Sequence, residues 1–219
     1  MRLAASIAVA LAAALAGAPA AGAATLAPLK PCYRSVDPQS REPVHVHAEG
    51  FTPGSTVDVS VDGLVEAQPQ ALPDGTVEGD VPAPHQPAGQ RQFTLTVTEH
   101  DMPANTVSAS SRVAALGLRL RPSRAPASKR VRFIGLGFTD GPRVYAHYLH
   151  AGKVRRTVSL GVPKGPCGRV DVRRRQIPVR RPALGWWTLQ VDNRPAYEER
   201  PAGVFVRVMI KVWREPRPQ

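Results

Sequence analysis

Arginine supplies the densest reactive chemistry in this sequence. Arg155-Arg156, Lys164, Arg169, Arg173-Arg174-Arg175 and Arg180-Arg181 crowd one stretch of the second half. A guanidinium is always charged and meets phosphate or carboxylate in a bidentate fork. The chemistry on offer is polyanion contact: wall teichoic acid, anionic lipid headgroups, acidic polysaccharide or nucleic acid. A solvated basic face, or a partner for an acidic surface of the same chain, reads from the same residues. Neighbours on a strand point to opposite faces, so these arginines do not all share one patch.

The other candidates are sparser. His45 and His47 lie two apart and share one strand face. Two imidazoles so placed can ligate a metal, but no third ligand stands near them in sequence. His147 and His150, three apart, fall on opposite faces. Tyr145 and Trp186 alternate outward and offer aromatic platforms or sheet-face contacts. No Gly-x-Ser-x-Gly, His-Glu-x-x-His or phosphate-loop pattern occurs, and no spacing singles out a nucleophile. No catalytic, metal-ligating or cofactor-binding residue is therefore assigned, and the chain is expected not to be an enzyme. Cys32 and Cys167 either bond or stand as two separate thiols. A bond needs Cα atoms within about 7 Å.

The element that positions these groups is a repeated phrase. Gly50-Phe51-Thr52-Pro53-Gly54 returns, from position 50 to 137, as Gly137-Phe138-Thr139-Asp140-Gly141. The flanks keep register: Val44, Val46 and Ala48 match Val131, Phe133 and Gly135, while Val57, Val59 and Val61 match Val144, Ala146 and Tyr148. Each copy reads as strand, tight turn, strand, with Pro53 and Gly54 suited to the turn. Phe93-Thr94-Leu95-Thr96-Val97 likewise returns as Trp187-Thr188-Leu189-Gln190-Val191. An internal repeat of this period fixes the architecture first. About seven short strands per unit, turns every 8–12 residues and 23 prolines with 18 glycines predict an all-β fold of two tandem immunoglobulin-like sandwiches.

Residues 1–24 carry one charge, Arg2, ahead of an Ala-rich apolar run and small residues such as Ala21-Gly22-Ala23, the pattern of a secretory signal. Units are expected at 25–113 and 114–214, with a tail at 215–219. Residues 25–34 read as one proline-broken edge strand, and 177–179 as a short strand. Residues 25–112 hold 5 Lys/Arg against 11 Asp/Glu, a net of −6, while residues 113–219 hold 23 against 6, a net of +17. Such asymmetry bears on association and solubility.

The strand, Gly-Phe-Thr-Pro-Gly, strand phrase resembles immunoglobulin-like modules of bacterial secreted and surface proteins. With Cys32-Tyr33-Arg34-Ser35, Val144 to Tyr148, Gly165-Pro166-Cys167-Gly168 and Arg173 to Val179, the chain more closely resembles a family of two-domain secreted proteins of high-GC actinobacteria. That resemblance implies the fold and export, and carries no activity. A looser likeness to the enediyne-binding apoproteins of the neocarzinostatin type implies a small-ligand carrier. The leading expectation is a secreted, non-catalytic binding or structural protein of the cell envelope. It would have no membrane span after signal cleavage, and its partners would be anionic envelope polymers or envelope proteins. Specific nucleic-acid recognition is not expected, since no recognition helix or stacking platform is apparent. The named alternatives are polyanion binding by the basic second unit and small-ligand carriage.

Overall fold

The computed structural model describes residues 23–214. All of the expected leader except Ala23 and Ala24, and all of the tail at 215–219, lie outside the described residues. The described chain is all-β and contains no helix.

The first sandwich is built from β1 (Thr25–Leu26), β2 (Tyr33–Ser35), β3 (Pro43–Glu49), β4 (Val57–Val61), β5 (Leu64–Ala67), β6 (Val77–Pro82), β7 (Gln90–Glu99) and β8 (Met102–Ala115). Its sheets have the orders β1-β3-β6 and β2-β8-β7-β4-β5. The second holds β9 (Gly117–Arg121), β10 (Arg130–Leu136), β11 (Val144–His150), β12 (Lys153–Gly161), β13 (Val170–Arg175), β14 (Gly185–Asp192) and β15 (Phe205–Val212). Its sheets have the orders β13-β10-β9 and β12-β11-β14-β15. The pairings are antiparallel, except that β2 runs parallel to β8.

Alternation builds both cores. Val44, Val46 and Ala48 turn inward from β3, and Val131 and Phe133 do so from β10. Val57, Val59 and Val61 face them from β4, and Val144, Ala146 and Tyr148 from β11. The repeated phrase carries the chain from one sheet to the other. Its phenylalanines, Phe51 and Phe138, are buried. Phe51 N–H donates to the Gly75 carbonyl at 3.1 Å, and Phe138 N–H to the Gly168 carbonyl at 3.3 Å. Both glycines have positive φ, 83° and 59°. A Cβ at Gly75 would lie 2.5 Å from the Phe51 carbonyl oxygen, and one at Gly168 would lie 2.1 Å from that of Phe138. Only hydrogen fits there.

Two local expectations are corrected. Residues 25–34 are not one strand. Pro28 and Pro31 interrupt pairing, and the chain crosses between sheets, placing β1 beside β3 and β2 beside β8. Residues 177–179 are not a strand either. Ile177 is buried and donates to the Ala127 carbonyl, but Pro178 lacks an N–H to continue a ladder.

The junction is short. Leu116 alone separates β8 from β9, and its N–H donates to the Ser35 carbonyl at 2.9 Å. Cys32 and Cys167 are disulfide-bonded, with Cα atoms 5.2 Å apart and a sequence separation of 135. The bond is buried with Ala114, and Leu136 packs against it. Arg34 pairs with Glu42 in its own unit at 3.1 Å and with Asp140 across the junction.

Two outcomes are expected. A closed loop of that length constrains the unfolded chain by about 4–5 kcal/mol in the chain-entropy model. The double variant Cys32→Ser/Cys167→Ser should therefore melt roughly 10 °C lower by calorimetry. An unchanged midpoint would show that the junction holds without the bond. Gly168→Ala should destabilise far more than Gly54→Ala. Both glycines have positive φ, but a Cβ at Gly54 meets nothing within 4 Å. Equal losses in urea unfolding would reject the clash as the cause.

Candidate polyanion-binding face

Pairing register decides which arginines meet. On β10, Val131 and Phe133 turn inward, so Arg130 and Arg132 turn outward with Ile134. Arg130 stands opposite Arg175 on β13, and Arg132 stands between Arg173 on β13 and Arg121 on β9. Ile134 stands between Asp171 and Arg119. Six guanidinium stems, from Arg119, Arg121, Arg130, Arg132, Arg173 and Arg175, therefore rise from the outer face of one three-stranded sheet.

One carboxylate sits among them. Asp171 accepts from Arg132 through both oxygens, at 2.5 and 2.7 Å, and from Arg169 at 2.9 Å. Those two guanidiniums hold its carboxyl down at about 2. The Arg130 guanidinium donates to the Arg173 carbonyl at 3.2 Å. Among the described residues, no other carboxylate pairs with a guanidinium of this face.

Of the arginines singled out in sequence, Arg173 and Arg175 belong to this face, and Arg169 adjoins it through Asp171. Arg174 is opposite Val131 and turns to the other side. Arg155 and Arg156 lie on β12, in the opposing sheet. Arg180 and Arg181 lie in the connection between β13 and β14. Arg119, Arg121, Arg130 and Arg132 were missed because they are singly spaced. Their signal was alternation, with charge at every second position of β9 and β10.

The corresponding face of the first unit is built differently. The repeat aligns His45 with Arg132. His45 stands opposite Asp80 and contacts it at 3.2 Å, and His47 contacts Glu78 at 3.0 Å and Glu49 at 3.3 Å. Complementary pairs thus occupy positions that carry like-charged pairs in the second unit. Hydrogen bonds from Glu78 and Glu49 raise the His47 pKa against a smaller opposing effect of desolvation.

His147 is in a cluster that the sequence did not suggest. It lies on the outer face of β11, yet it and the neighbouring Gln190 and Asp192 are fully buried, because residues 193–204 lie across them. His147 Nε2 is 3.1 Å from both Asp192 Oδ1 and the Arg194 carbonyl, so it carries the proton. Nδ1 then accepts from the Thr157 hydroxyl at 2.9 Å. Gln190 donates to Asp192 and to the Glu198 carbonyl, both at 2.8 Å. Burial pushes the Asp192 carboxyl up, but hydrogen bonds from His147, Gln190 and the Arg194 N–H together hold it below its ordinary value. The Thr–His–Asp order is that of a proton relay, but every nitrogen of the imidazole is occupied and no surface reaches it. Its work is to fasten a loop. His150 instead rests against Trp187, ring centroids 5.0 Å apart.

Tyr145 is half-buried and Trp186 exposed. An apolar cleft of about 280 Å³ opens in the first sandwich, with Val46, Val59, Val77 and Val81 in its wall.

No protein-family model matches the chain. No curated protein matches it either. Among solved structures it is similar to a Parabacteroides merdae β-glucuronidase at 12% identity and TM-score 0.28, over 83% of this chain and 23% of that one. It is similar to the central fibronectin-III array of RIM-binding protein at 9% and 0.24, over 88% and 70%. It is similar to bovine butyrophilin at 10% and 0.28, over 83% and 95%. The chain thus spans about a quarter of the glucuronidase. Likenesses this distant carry no functional argument.

The Asp171 arrangement has a defined acid response. Its folded value lies below the ordinary carboxylate value of about 3.9, so its stabilising effect is present above about pH 4 and is lost as pH falls through about 2. Carboxyl NMR titration should place its midpoint at about 2. Arg132→Gln should move the midpoint up toward the ordinary value. A midpoint that Arg132→Gln leaves in place would remove the ion pair as the cause.

Proposed function

We propose that the chain is an exported, non-catalytic binding protein of the cell envelope, and that the β9-β10-β13 face holds it to an anionic envelope polymer. The observation that carries this reading is the register of Arg132, with Arg121 on one side and Arg173 on the other. Like charges directly opposed across strands destabilise a sheet. The first unit fills the equivalent position with a complementary His45–Asp80 pair, so the fold itself does not demand the repulsion. Phosphates or carboxylates laid along the face would replace that repulsion with bidentate contacts. Strands spaced about 4.8 Å apart offer a grid rather than a pocket, suited to a flexible polymer without sequence preference. The leader-like segment supports export. The acidic first unit, net −6, turns away any polymer that reaches past the junction. A second reading, small-ligand carriage, draws on the apolar cleft of the first sandwich, whose volume lies just below that of ordinary ligand pockets.

The test is binding of the full chain to purified teichoic acid, and to duplex DNA as a sequence-free polyanion, between 50 and 200 mM salt. Binding should weaken steeply with salt, because it runs on counterion release. Arg121→Ser/Arg130→Ser/Arg173→Ser/Arg175→Ser should weaken it and flatten the log–log slope by about three on DNA. Arg155→Ser/Arg156→Ser, in the opposing sheet, should leave the slope nearly unchanged. Absence of binding to either polymer near 50 mM would leave the arginines a solvated face.

A further inference from the structure

The two sandwiches treat the same sheet edge differently. In the first, β8 is not an edge, because β2 pairs with it in parallel, Tyr33 opposite Val113 and Ser35 opposite Ala115. In the second, β15 ends its sheet, and among the described residues nothing pairs with its outer side. The cause is length. From the first residue of β1 to the first of β3 is 43 − 25 = 18 residues, and from β9 to β10 it is 130 − 117 = 13. The shorter segment stays paired with β10 and never crosses over.

The vacant position can be located by register. Arg91 faces Val113 in the first unit, and Gly185 faces Val212 at the equivalent place in the second. The counterpart of β2 would therefore lie beside Val212, Trp213 and Arg214. A groove of about 540 Å³ lies there, lined by Ser123, Arg124, Trp186, Met209, Lys211 and Trp213 among others. Trp186, Met209 and Trp213 are exposed, at 57%, 56% and 42%. Lys211 holds its ammonium 5.6 Å from the centre of the Trp186 ring. No carboxylate lines the groove.

We propose that this groove is a strand-addition site, and that its occupant is an extended segment of a partner polypeptide in which acidic residues alternate with apolar ones, one of them aromatic. An unpaired strand edge offers a row of backbone donors and acceptors, and such edges are otherwise shielded. Adding a strand satisfies them, while flanking pockets select side chains. The chain provides its own template. Tyr33 of β2 is buried and meets Phe93 edge-on, ring centroids 5.7 Å apart. Trp187 stands where Phe93 does, so an incoming aromatic side chain finds the same kind of wall. Arg124 and Lys211 select acidic residues at alternate positions. The site is separate from the arginine face and does not depend on it.

The probe is an acetylated, amidated heptapeptide alternating glutamate with valine and carrying a central tyrosine, added to the full chain. It should slow amide hydrogen exchange at 210–214 by tenfold or more and shift the tryptophan fluorescence to the blue. It should leave exchange in β8 unchanged. The same peptide with lysine for glutamate should bind at least tenfold more weakly. Lys211→Glu, at an exposed position, should weaken the acidic peptide by a similar factor, and Trp213→Ala should do so without reversing charge preference. No protection at 210–214, or equal binding of the lysine peptide, would overturn the proposal. So would protection without peptide that disappears on dilution to monomer in sedimentation, which would make a second copy the occupant. A neutral oligosaccharide that quenches Trp213 without protecting amides would overturn it in favour of aromatic stacking.

Discussion

The clasp between a phenylalanine N–H and a glycine carbonyl fixes where the chain crosses from one sheet to the other. β3 and β6 belong to one sheet and β4 to its opposite, and the repeated phrase must carry the chain between them while keeping Phe51 in the core. The Gly75 carbonyl, just ahead of β6, receives the Phe51 N–H and sets the distance between layers at that corner. Gly168, just ahead of β13, does the same for Phe138. The approach is so close that no Cβ fits at either glycine. In the second unit the clasp also carries the junction. Gly137 N–H donates to the Cys167 carbonyl at 2.9 Å, so the half-cystine is placed by the same corner. Disturb that corner and both the inter-sheet spacing and the inter-unit staple move together.

On that frame, charge is a free choice of the outer faces. The cores of the two units are interchangeable in kind, valine for valine and Phe51 for Phe138, yet the outer face of β3 carries His45 and His47 among acids, while that of β10 carries Arg130 and Arg132 among arginines. Packing does not distinguish the two, because these side chains do not enter a core. A fold that is stable with His45 opposite Asp80 gains nothing from Arg132 opposite Arg173. The like-charged arrangement is a cost accepted by the second unit alone, and an external anion is the physical agent that reverses its sign.

The core and the corners were legible in the sequence because alternation and positive-φ glycines are local signals. Val44, Val46 and Ala48, and their counterparts Val131 and Phe133, are inward as spacing implies. The arginine face was only partly legible. The run Arg173-Arg174-Arg175 drew the eye, yet a run on a strand scatters to two sides, and the face owes more to the unremarkable alternation of Arg119, Arg121, Arg130 and Arg132. Cross-strand register assembles that face, and register is a long-range property. His147 was illegible for a different reason. Its burial comes from residues 193–204 folding back over an outer sheet face, and nothing at positions 144–150 announces a cover supplied some 50 residues later.

The five-residue difference between the units before β3 and β10 has two effects at once. In the first unit the longer segment crosses between sheets, closes the β8 edge with β2 and delivers Cys32 to the junction, immediately before Tyr33. Arg34 and Ser35 follow and bind Asp140 and Leu116 of the second unit. Edge protection and inter-unit coupling are therefore the same piece of chain. The second unit, lacking that piece, lacks both: its β15 edge is open, and the groove beside it is ringed by tryptophan, methionine and cationic groups rather than by a strand. An edge left bare in solution invites indiscriminate pairing, and Arg124 and Lys211 restrict which extended chains approach it by charge alone. The first sandwich is thus finished by its own chain, and the second has the same architecture with one place left for another.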